Sequence, residues 1–389
     1  MRIAILAHNL RFAGAQSVGI NVLTSLARIG DEHEYLLFVP RGCGYESLPK
    51  PTKAECYYIS RRFGPVSQML FERCELPRRI DEFRPDVVWG LGNFGLRRPP
   101  CRQAVLFHKA HFVYPWKNRR GEPLRNRLVN WAIRRRLAQS LPATQLVFCQ
   151  TAVTAERFPR HFRYTGRIAV MPNAVSEVTK AGDVHRRPAV FDRLGGKFTL
   201  FCLTSYYTHK NLESLVEVYR RWRQELKRTA VIFTIAHGGS RRARAFLRSI
   251  ERYDLGEHLV NVGPVAQSEL PGYFAASAGM ILPTILESFS ATYVEAMQYE
   301  RPILTSDMDF ARVICGDAAL YFDPFNPESI RDAILQLQRS PELQARLVAR
   351  GIERRRTHVR DWDSIVSEAL GELSALVAPA AARGTLASK

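Results

Sequence analysis

Short apolar segments recur along the chain, and each is followed by turn residues and then by a stretch with helical periodicity. The first apolar segment, Arg2–His8, precedes an amphipathic stretch that begins near Ala15 and reaches a glycine at position 30. Segments of this length and composition predict buried strands, and a glycine after a helical repeat predicts a helix end. Strands alternating with helices are typical of βα units on a parallel sheet.

Two series of such segments follow one another. The predicted strands after the first are EYLLFVP (34–40), DVVWGLG (86–92), QAVLFHK (103–109) and QLVFCQT (145–151), and then FTLFCLT (198–204), TAVIFTIAH (229–237), LVNVGPV (259–265), GMILPTI (279–285), RPILTSD (301–307) and ALYFDP (319–324). The pattern therefore predicts an α/β protein of two doubly wound domains that face each other across a cleft.

Domain boundaries follow from where the periodicity weakens. We predict an N-terminal domain at 1–178, a linker at 179–196, a C-terminal domain at 197–376 and a disordered tail at 377–389. The last helix either stays with the C-terminal domain or packs back on the N-terminal one.

Composition adds one strong constraint. The 389 residues are 46% hydrophobic and 24% charged, as in ordinary globular proteins, but the formal net charge is +19. Such a charge indicates an anionic partner: a nucleic acid, an anionic membrane surface or a phosphorylated small molecule. Charge alone does not choose among them.

Cysteine usage and apolar run lengths indicate the compartment. The seven cysteines show neither metal-ligand nor redox spacing, which fits a reducing cytoplasm, and Cys202 lies in an apolar run as a buried thiol would. The first apolar segment is too short for a signal peptide, and no run approaches the ~20 residues of a spanning helix. Any membrane contact is therefore expected from the surface.

The stretch LESFSATYVEAM (286–297) carries the first candidate site. It follows a predicted strand, and Ser288, Ser290 and Thr292 are candidate N-cap residues of a helix. Glu287 is then expected at a strand end and Glu295 about two turns into the helix. In open α/β sheets, ligands bind at the carboxyl ends of strands, where helix N-termini point at them.

The spacing of the two glutamates bears on their chemistry. Eight residues of straight helix span ~12 Å, which exceeds the ~5–9.5 Å between the paired carboxylates of glycosidases. Glu287 and Glu295 therefore fit two contacts on one extended ligand better than an acid/base pair. The alternative makes them ordinary first-turn acids favoured by the helix dipole.

Four further candidate residues follow predicted strands. Gly14 and Ala15 lie in a turn that lacks the G-x-G-x-x-G fingerprint, which disfavours a nicotinamide dehydrogenase; backbone geometry and close approach to a phosphate both remain open. Lys210 is expected near the N-terminus of a helix beginning around Asn211, either solvated or holding a diphosphate leaving group. His108 closes a strand, and a structural or a ligand-contacting role remains open.

These segments resemble a known family. ESFSATYVE (287–295) resembles the E-x7-E signature of retaining family 4 glycosyltransferases of the GT-B fold, HKNLESL (209–215) resembles the K-N-L motif, and VMPNAV (170–175) resembles the I-P-N-G-V motif at the domain junction. The resemblance spans nearly the whole chain and is strongest from Met171 to Asp323. It implies two Rossmann-like domains, with the acceptor on the N-terminal side and the nucleotide sugar on the C-terminal side.

The resemblance implies roles for the C-terminal candidates. Glu287 would hold the hydroxyls of the donor sugar, Lys210 would contact the diphosphate, and Glu295 would bind the ribose. The backbone amides after Glu287 would also face the donor; they belong to Ser288, Phe289, Ser290, Ala291 and Thr292.

In the N-terminal domain, the resemblance implies that Gly14 and Ala15 lie against the phosphate side of the donor. His108 would contact the sugar and would act with Glu287 and Lys210 as a catalytic residue.

The chain departs from the family pattern at several positions that affect leaving-group stabilisation and sugar recognition. Ser290 and Ala174 stand where the family often has glycine, and Lys109 stands where Asp or Asn is common. Tyr206 or Tyr207 stands where an arginine commonly precedes the motif lysine.

The implied reaction retains anomeric configuration, with same-face attack assisted by the leaving phosphate. Lys210 and backbone N–H groups would stabilise the charge on that phosphate without a metal, and Asp307 and Asp309 are not expected to bind one. No cofactor is expected, because the nucleotide sugar is a substrate. A GDP- or UDP-sugar, with a mannose-type sugar fitting, is the expected donor.

The acceptor side is suggested by a basic segment, Trp116–Leu137. Leu124, Leu128, Trp131 and Leu137 give it a partial apolar face, which suits an anionic membrane interface; an ordinary core-packed helix with a solvated basic face is the alternative. The membrane interpretation implies a lipid-linked acceptor, as in bacterial surface polysaccharide or lipopolysaccharide assembly. The protein would then lie at the inner face of the cytoplasmic membrane.

Three other functions are alternatives to this one. A basic nucleic-acid-binding protein is suggested by charge alone, but the chain has no aromatic-basic platform or recognition module, so no nucleic acid partner is expected. A GT-B sugar-nucleotide epimerase or phosphorylase would share the scaffold, although the cofactor-lysine signature of a phosphorylase is not found. An inactive scaffold is disfavoured by the set Glu287, Glu295 and Lys210.

Overall fold

The computed structural model describes residues 1–60, 65–115, 124–176 and 185–378, and these form two compact units. The first unit contains the described residues of 1–113, 124–173 and 361–378. The second contains 114–115 and the described residues of 174–360. Each unit is built on its own parallel sheet.

The first unit has a seven-stranded sheet in the order β3-β2-β1-β4-β5-β6-β7. Ile3 in the centre pairs with Tyr35 on one side and Val87 on the other, and all three side chains are fully buried. Central strands covered on both faces require continuous apolar runs, which the sequence supplies. The strands are β1 Arg2–Leu6, β2 Glu34–Pro40, β3 Ala54–Ile59, β4 Val87–Gly90, β5 Arg102–Phe107, β6 Leu146–Cys149 and β7 Arg167–Val170.

Helices pack on this sheet. Those in chain order are α1 Ala13–Ile29, α2 Pro65–Leu70, α3 Leu76–Phe83, α4 Leu124–Ser140 and α5 Ala152–Phe162, with a π-helical turn, Phe71–Glu75, between α2 and α3. The final helix of the chain, Trp362–Val377, joins them by packing on α1, where Arg28 Nη2 lies 2.7 Å from Asp363 Oδ1.

The second unit has a six-stranded parallel sheet in the order β10-β9-β8-β11-β12-β13. Its strands are β8 Phe198–Cys202, β9 Thr229–Phe233, β10 Leu259–Asn261, β11 Gly279–Leu282, β12 Ile303–Ser306 and β13 Ala319–Phe322. The remaining helices are α6 Val190–Arg193, α7 Glu213–Arg221, α8 Arg241–Arg252, α9 Leu270–Ala276, α10 Ala291–Gln298, α11 Asp309–Cys315, α12 Pro327–Arg339 and α13 Pro341–His358, with the final helix as α14.

The predicted strands are confirmed, with their ends trimmed by turn residues, and two strands were missed. These are β3 and β7, at opposite edges of the first sheet. The first helix ends as expected at Gly30, whose N–H donates to the Leu26 carbonyl.

The predicted linker differs from the structure where the two can be compared. Val190, Phe191 and Leu194 are buried, and the Phe191 ring packs against Tyr273 of the second unit. Residues 185–196 therefore belong to the second unit, while 179–184 lie outside the described residues. The first unit gives way to the second after residue 173 rather than 178.

At the C-terminus, α14 runs to Val377 inside the first unit, and residues 379–389 of the predicted tail lie outside the described residues. Across the described ranges, no helix combines the length and the apolar character that crossing a bilayer requires.

Candidate active site

Two neighbouring strands of the second sheet bring Lys210 and Glu287 together. β8 and β11 pair in parallel, so the loops that follow them leave the same edge of the sheet. Lys210 Nζ lies 2.5 Å from Glu287 Oε1, and the side chains are only 14% and 13% exposed. A charged pair this poorly solvated is costly to break by removing one partner, since the other charge is left without compensation.

Thr284 holds the loop that carries Glu287. Its Oγ1 lies 3.1 Å from Glu287 Oε1 and 3.1 Å from the His209 carbonyl oxygen. The backbone N–H of Ile285 donates to the same carbonyl at 2.8 Å. The loops after β8 and β11 are therefore tied to each other by backbone as well as by the ion pair.

Lys210 lies near the N-terminus of helix α7, as the sequence predicted, although the helix begins two residues later than the expected Asn211. It ends a 3-10 turn, Thr208–Lys210, and Asn211 follows in the left-handed region with φ 54°. Helix α7 begins only at Glu213. The lysine therefore ends a tight turn that lies just before α7.

Helix α10 begins at Ala291, four residues after Glu287. Of the three candidate caps, Ser290 occupies the N-cap position, without a side-chain cap hydrogen bond, while Ser288 precedes it and Thr292 lies inside the helix. The first N–H groups of a helix have no intrahelical partner. Ser288, Phe289, Ala291 and Thr292 are partly exposed.

Glu295 is the fifth residue of α10, about one turn in rather than two. Residues 287–290 precede the helix, so the ~12 Å span estimated for a continuous helix does not apply. The residue is 8% exposed, and no ion pair within the described ranges compensates its charge. Burial raises the pKa of Glu295 from its ordinary 4.5 to about 7.

In the first unit, Gly14 and Ala15 lie in the first turn of α1, directly after the β1 loop. Gly14 is exposed, its φ is not positive, and a Cβ added to it would meet no atom within 4 Å. Backbone geometry therefore does not explain the glycine, which leaves space above the start of α1.

His108 follows β5, and its backbone N–H donates to Asn93 Oδ1 at 2.9 Å. Asn93 itself has φ 71°. Burial, together with the charge of Lys109, lowers the pKa of His108 to about 4. The imidazole is therefore neutral at pH 7, with one nitrogen to donate and one to accept.

The structure thus groups the candidates by unit: Lys210, Glu287 and Glu295 in the second, and Gly14, Ala15 and His108 in the first. Asp307 pairs with Arg312 at 2.5 Å, and Asp309 Oδ1 accepts from the Tyr114 hydroxyl at 2.9 Å. No group of three or more His, Cys, Asp or Glu side chains that could hold a metal occurs among the described residues.

Sequence reasoning missed two residues that position the site, Thr284 and Asn93. Each is polar and lies within three residues of the end of a buried strand. The same signal, a polar residue shortly after an apolar run, predicts His108 and Glu287 and applies equally to these two.

The two halves of the chain each match a glycosyltransferase family. Residues 12–177 match the family described as Glycosyltransferase Family 4, and residues 187–354 match Glycosyl transferases group 1. Together the two matches span most of the chain, which therefore belongs to these glycosyltransferase families.

Curated relatives of the glycosyltransferase are distant. It is 22% identical over 140 residues to the O-antigen chain mannosyltransferase RfbU of Salmonella typhimurium, a match covering 36% of this chain and 38% of the relative. It is 29% identical over 138 residues to the probable sucrose-phosphate synthase 1 of Craterostigma plantagineum, covering 33% of this chain and 13% of the relative. The chain thus spans well under half the length of these curated relatives.

Solved structures show the GT-B fold over almost the entire glycosyltransferase. Anabaena Alr3699/HepE in complex with UDP and glucose superposes with a TM-score of 0.72 at 15% identity, covering 96% of this chain and 99% of that one. WaaG, a glycosyltransferase involved in lipopolysaccharide biosynthesis, gives 0.68 at 15% identity, covering 96% and 100%.

Proposed function

We propose that the protein transfers a hexose from a GDP- or UDP-sugar to an acceptor hydroxyl, with retention of configuration and without a metal. The observation that carries this proposal is the Lys210–Glu287 pair, held at the carboxyl ends of β8 and β11 beside the start of α10. A cation and the first N–H groups of a helix at one strand edge suit a diphosphate.

Donor binding would exchange the partner of Lys210. The diphosphate supplies negative charge to the ammonium, which releases Glu287 to accept hydrogen bonds from sugar hydroxyls. Glu295 would accept from the ribose hydroxyls at the buried end of the site. The open space above Gly14 and the neutral His108 would serve the phosphate and the sugar from the first unit.

The reaction itself would proceed as follows. The bond from the anomeric carbon to the β-phosphate oxygen breaks, its electron pair stays on that oxygen, and Lys210 and the α10 amides stabilise the charge. The acceptor oxygen forms its bond to the same face of the anomeric carbon, and its proton passes to the departing phosphate. Glu287 stabilises the positive charge that develops on the sugar, which is an interaction stronger in the transition state than in the ground state.

Nucleotide-sugar turnover tests this proposal. Incubation with GDP-mannose, UDP-glucose, UDP-galactose and UDP-N-acetylglucosamine should release nucleoside diphosphate from at least one of them. Glu287→Gln should lower that rate at least a hundredfold with little change in nucleoside diphosphate affinity, because size is kept and charge is lost. Glu217→Gln is the matched control, since Glu217 also pairs with cations in the second unit, Arg220 and Arg221, but on the exposed face of α7.

Three results would count against the proposal. Full turnover by Glu287→Gln would remove Glu287 from the chemistry. Loss of wild-type turnover in excess chelator, restored by a divalent cation, would replace the metal-independent mechanism. Consumption of none of the four donors would contradict the donor class.

We also propose that the acceptor is lipid-linked and belongs to a bacterial surface glycan. Helix α4 supports this: Leu124, Leu128 and Trp131 are 72%, 69% and 60% exposed, and Arg135 lies over the Trp131 ring at 5.6 Å. Leu137, expected on the same face, is instead fully buried. Residues 116–123 of the basic segment lie outside the described residues.

Three exposed apolar side chains at helical spacing among arginines suit the interface of an anionic bilayer. The relatives named as an O-antigen mannosyltransferase and a lipopolysaccharide glycosyltransferase support the same acceptor class. Contact with the inner face of the cytoplasmic membrane would place the acceptor within reach.

A further inference from the structure

The turn that ends in Lys210 is preceded by an exposed tyrosine. Tyr207 is the residue before the 3-10 turn Thr208–Lys210, and its carbonyl oxygen accepts from the Lys210 N–H at 2.9 Å. A hydrogen bond that closes such a turn holds the first and fourth Cα atoms within ~7 Å of each other. Tyr207 and Lys210 are therefore neighbours in space, in the loop that leaves the carboxyl end of β8.

The Tyr207 side chain is directed over this turn. Its backbone is extended, with φ −137° and ψ 149°, which is the geometry of an N-cap residue. Side chains at that position point towards the second and third residues of the turn that follows, here His209 and Lys210. The contacts agree with this direction, because the Tyr207 ring stacks on the His209 ring with centroids 5.4 Å apart and planes inclined by 15°. The tyrosine ring therefore lies over the turn that carries the lysine.

The turn itself is fixed from two sides. The His209 carbonyl oxygen accepts from Thr284 Oγ1 at 3.1 Å, in the loop after β11. On the other side, Asn211 Nδ2 donates to the Pro324 carbonyl oxygen at 2.9 Å. A ligand that meets Tyr207 therefore meets a side chain on a preorganised support, and preorganisation reduces the loss of conformational entropy on binding.

The two tyrosines before Lys210 differ in what their hydroxyls bind. The Tyr206 hydroxyl donates to Glu213 Oε1, and the Tyr206 ring packs against Phe246 with centroids 5.9 Å apart. Tyr207 is 44% exposed, and its hydroxyl makes no hydrogen bond to any residue that the structure describes. The sequence leaves both tyrosines as alternatives, and the contacts distinguish them: Tyr206 is engaged within the fold, whereas Tyr207 is accessible to a ligand.

A phenol hydroxyl beside a lysine suits an ionised phosphate. Ionised phosphate oxygens accept hydrogen bonds, and a tyrosine hydroxyl has one proton to donate. A hydrogen bond to a charged oxygen is shorter and roughly twice as strong as a bond between neutral groups. Tyrosine also differs from a second cation at this position, because it adds a directed donor without adding a positive charge that would repel Lys210.

We propose that the Tyr207 hydroxyl donates a hydrogen bond to the β-phosphate of the donor nucleotide, beside the contact from Lys210. The inference rests on the proposed function, and it adds to that site a group that touches the leaving phosphate. As the bond from the anomeric carbon to the β-phosphate oxygen breaks, negative charge accumulates on that phosphate and the hydrogen bond from Tyr207 strengthens. The phenol keeps its proton throughout the reaction, so this role requires no base.

Two matched substitutions test the role of the hydroxyl. Tyr207→Phe removes one oxygen atom and keeps the ring that stacks on His209. Tyr206→Phe removes the same atom from the adjacent residue, where it bonds Glu213 instead. Affinities for UDP, GDP, UMP and GMP are measured by calorimetric titration, because the monophosphates lack the phosphate that Tyr207 contacts. Melting temperatures establish that both variants are folded.

The expected loss is confined to one variant and to one phosphate. Tyr207→Phe should bind UDP or GDP, whichever the wild type prefers, about tenfold more weakly, and should bind the corresponding monophosphate with wild-type affinity. Phosphorus NMR of the bound diphosphate should show a larger change at the β-phosphate resonance than at the α-phosphate resonance. Tyr206→Phe should bind all four nucleotides as the wild type does.

Wild-type diphosphate affinity in Tyr207→Phe would overturn the inference and leave the proposed function intact. An equal loss of affinity for the monophosphate and the diphosphate would also overturn it, because the hydroxyl would then not act on the β-phosphate. The same holds for an equal loss in Tyr206→Phe, which would indicate a general effect on the loop. Binding of neither UDP nor GDP by the wild type would instead contradict the proposed function, and this inference with it.

Discussion

The assignment of Glu295 to the donor ribose predicts that nucleotide affinity depends on pH. The perturbation is Glu295→Gln, which keeps the shape of the side chain and removes its charge. Glu300→Gln is the matched control, since Glu300 is exposed and lies just after the end of the same helix, α10. Nucleotide binding and protein stability should respond with opposite signs.

The effect on binding follows from the raised pKa of about 7. A carboxylate is the stronger acceptor for ribose hydroxyls, so the binding-competent form accumulates as pH rises through 7. Roughly one-tenth of the side chains are ionised at pH 6 and nine-tenths at pH 8, so affinity should rise about tenfold between them. At pH 8, Glu295→Gln should bind UDP or GDP ten- to a hundredfold more weakly.

The effect on stability has the opposite sign. The pKa of Glu295 is raised on folding, so the protonated side chain stabilises the folded state fully below pH 4.5, and this stabilisation is lost as pH rises through about 7. The difference corresponds to roughly 3 kcal/mol. Glutamine cannot ionise, so at pH 8 the variant should unfold at a higher denaturant concentration than the wild type, with little difference at pH 5.

Calorimetric titration of UDP and GDP at pH 6, 7 and 8 measures the first effect, and urea denaturation at pH 5 and 8 measures the second. Ionisation of the terminal phosphate of the nucleotide contributes equally to both proteins, so the difference between them isolates Glu295. An equal rise in affinity with pH in Glu295→Gln would refute the assignment. So would a variant that is more stable at pH 8 yet binds both nucleotides with wild-type affinity.

Two further predictions concern other faces of the molecule. Gly14→Ala should stabilise α1 by about 0.5–1 kcal/mol and still weaken nucleotide-sugar binding. Gly371→Ala in α14, which also has open space at Cβ, should stabilise its helix without affecting binding. Equal nucleotide affinity in both variants would contradict the role given to Gly14. The double variant Leu128→Ser with Trp131→Ser should no longer sediment with anionic vesicles at low salt, whereas Tyr253→Ser, at an exposed position in the second unit, should still sediment. Equal binding of the wild type to neutral and anionic vesicles would contradict the electrostatic part of the proposal.

The sequence predicts most of the strands because a strand that is buried on both faces requires a continuous run of apolar residues. Central strands such as β1 and β11 are covered on both faces, so almost every residue is apolar and the run stands out. The edge strands β3 and β7 were missed for the same reason. Most of β3 is only partly buried, and β7 begins and ends with exposed residues, so neither has a continuous apolar run.

The candidate site could be predicted only in part. The position of Glu287 shortly after a strand is a local property, so it can be predicted from the sequence. Lys210 Nζ contacts Glu287, 77 residues away, because β8 lies next to β11 rather than β10 in the sheet. The order of strands along the chain does not predict this neighbour. His8 and Glu72 are 64 residues apart and meet because a π-helical turn packs over the end of β1.

Helix α4 also shows what the sequence predicts and what it does not. Its sequence placed Leu128 and Leu137 on one partial apolar face, but only Leu137 enters the core, while Leu128 stays exposed. The hydrophobicity of each residue is a local quantity, so its periodicity along the chain indicates which side chains are suited to burial. Which element covers it, and which distant charge lies beside it, depends on packing between elements, and only the tertiary structure decides that.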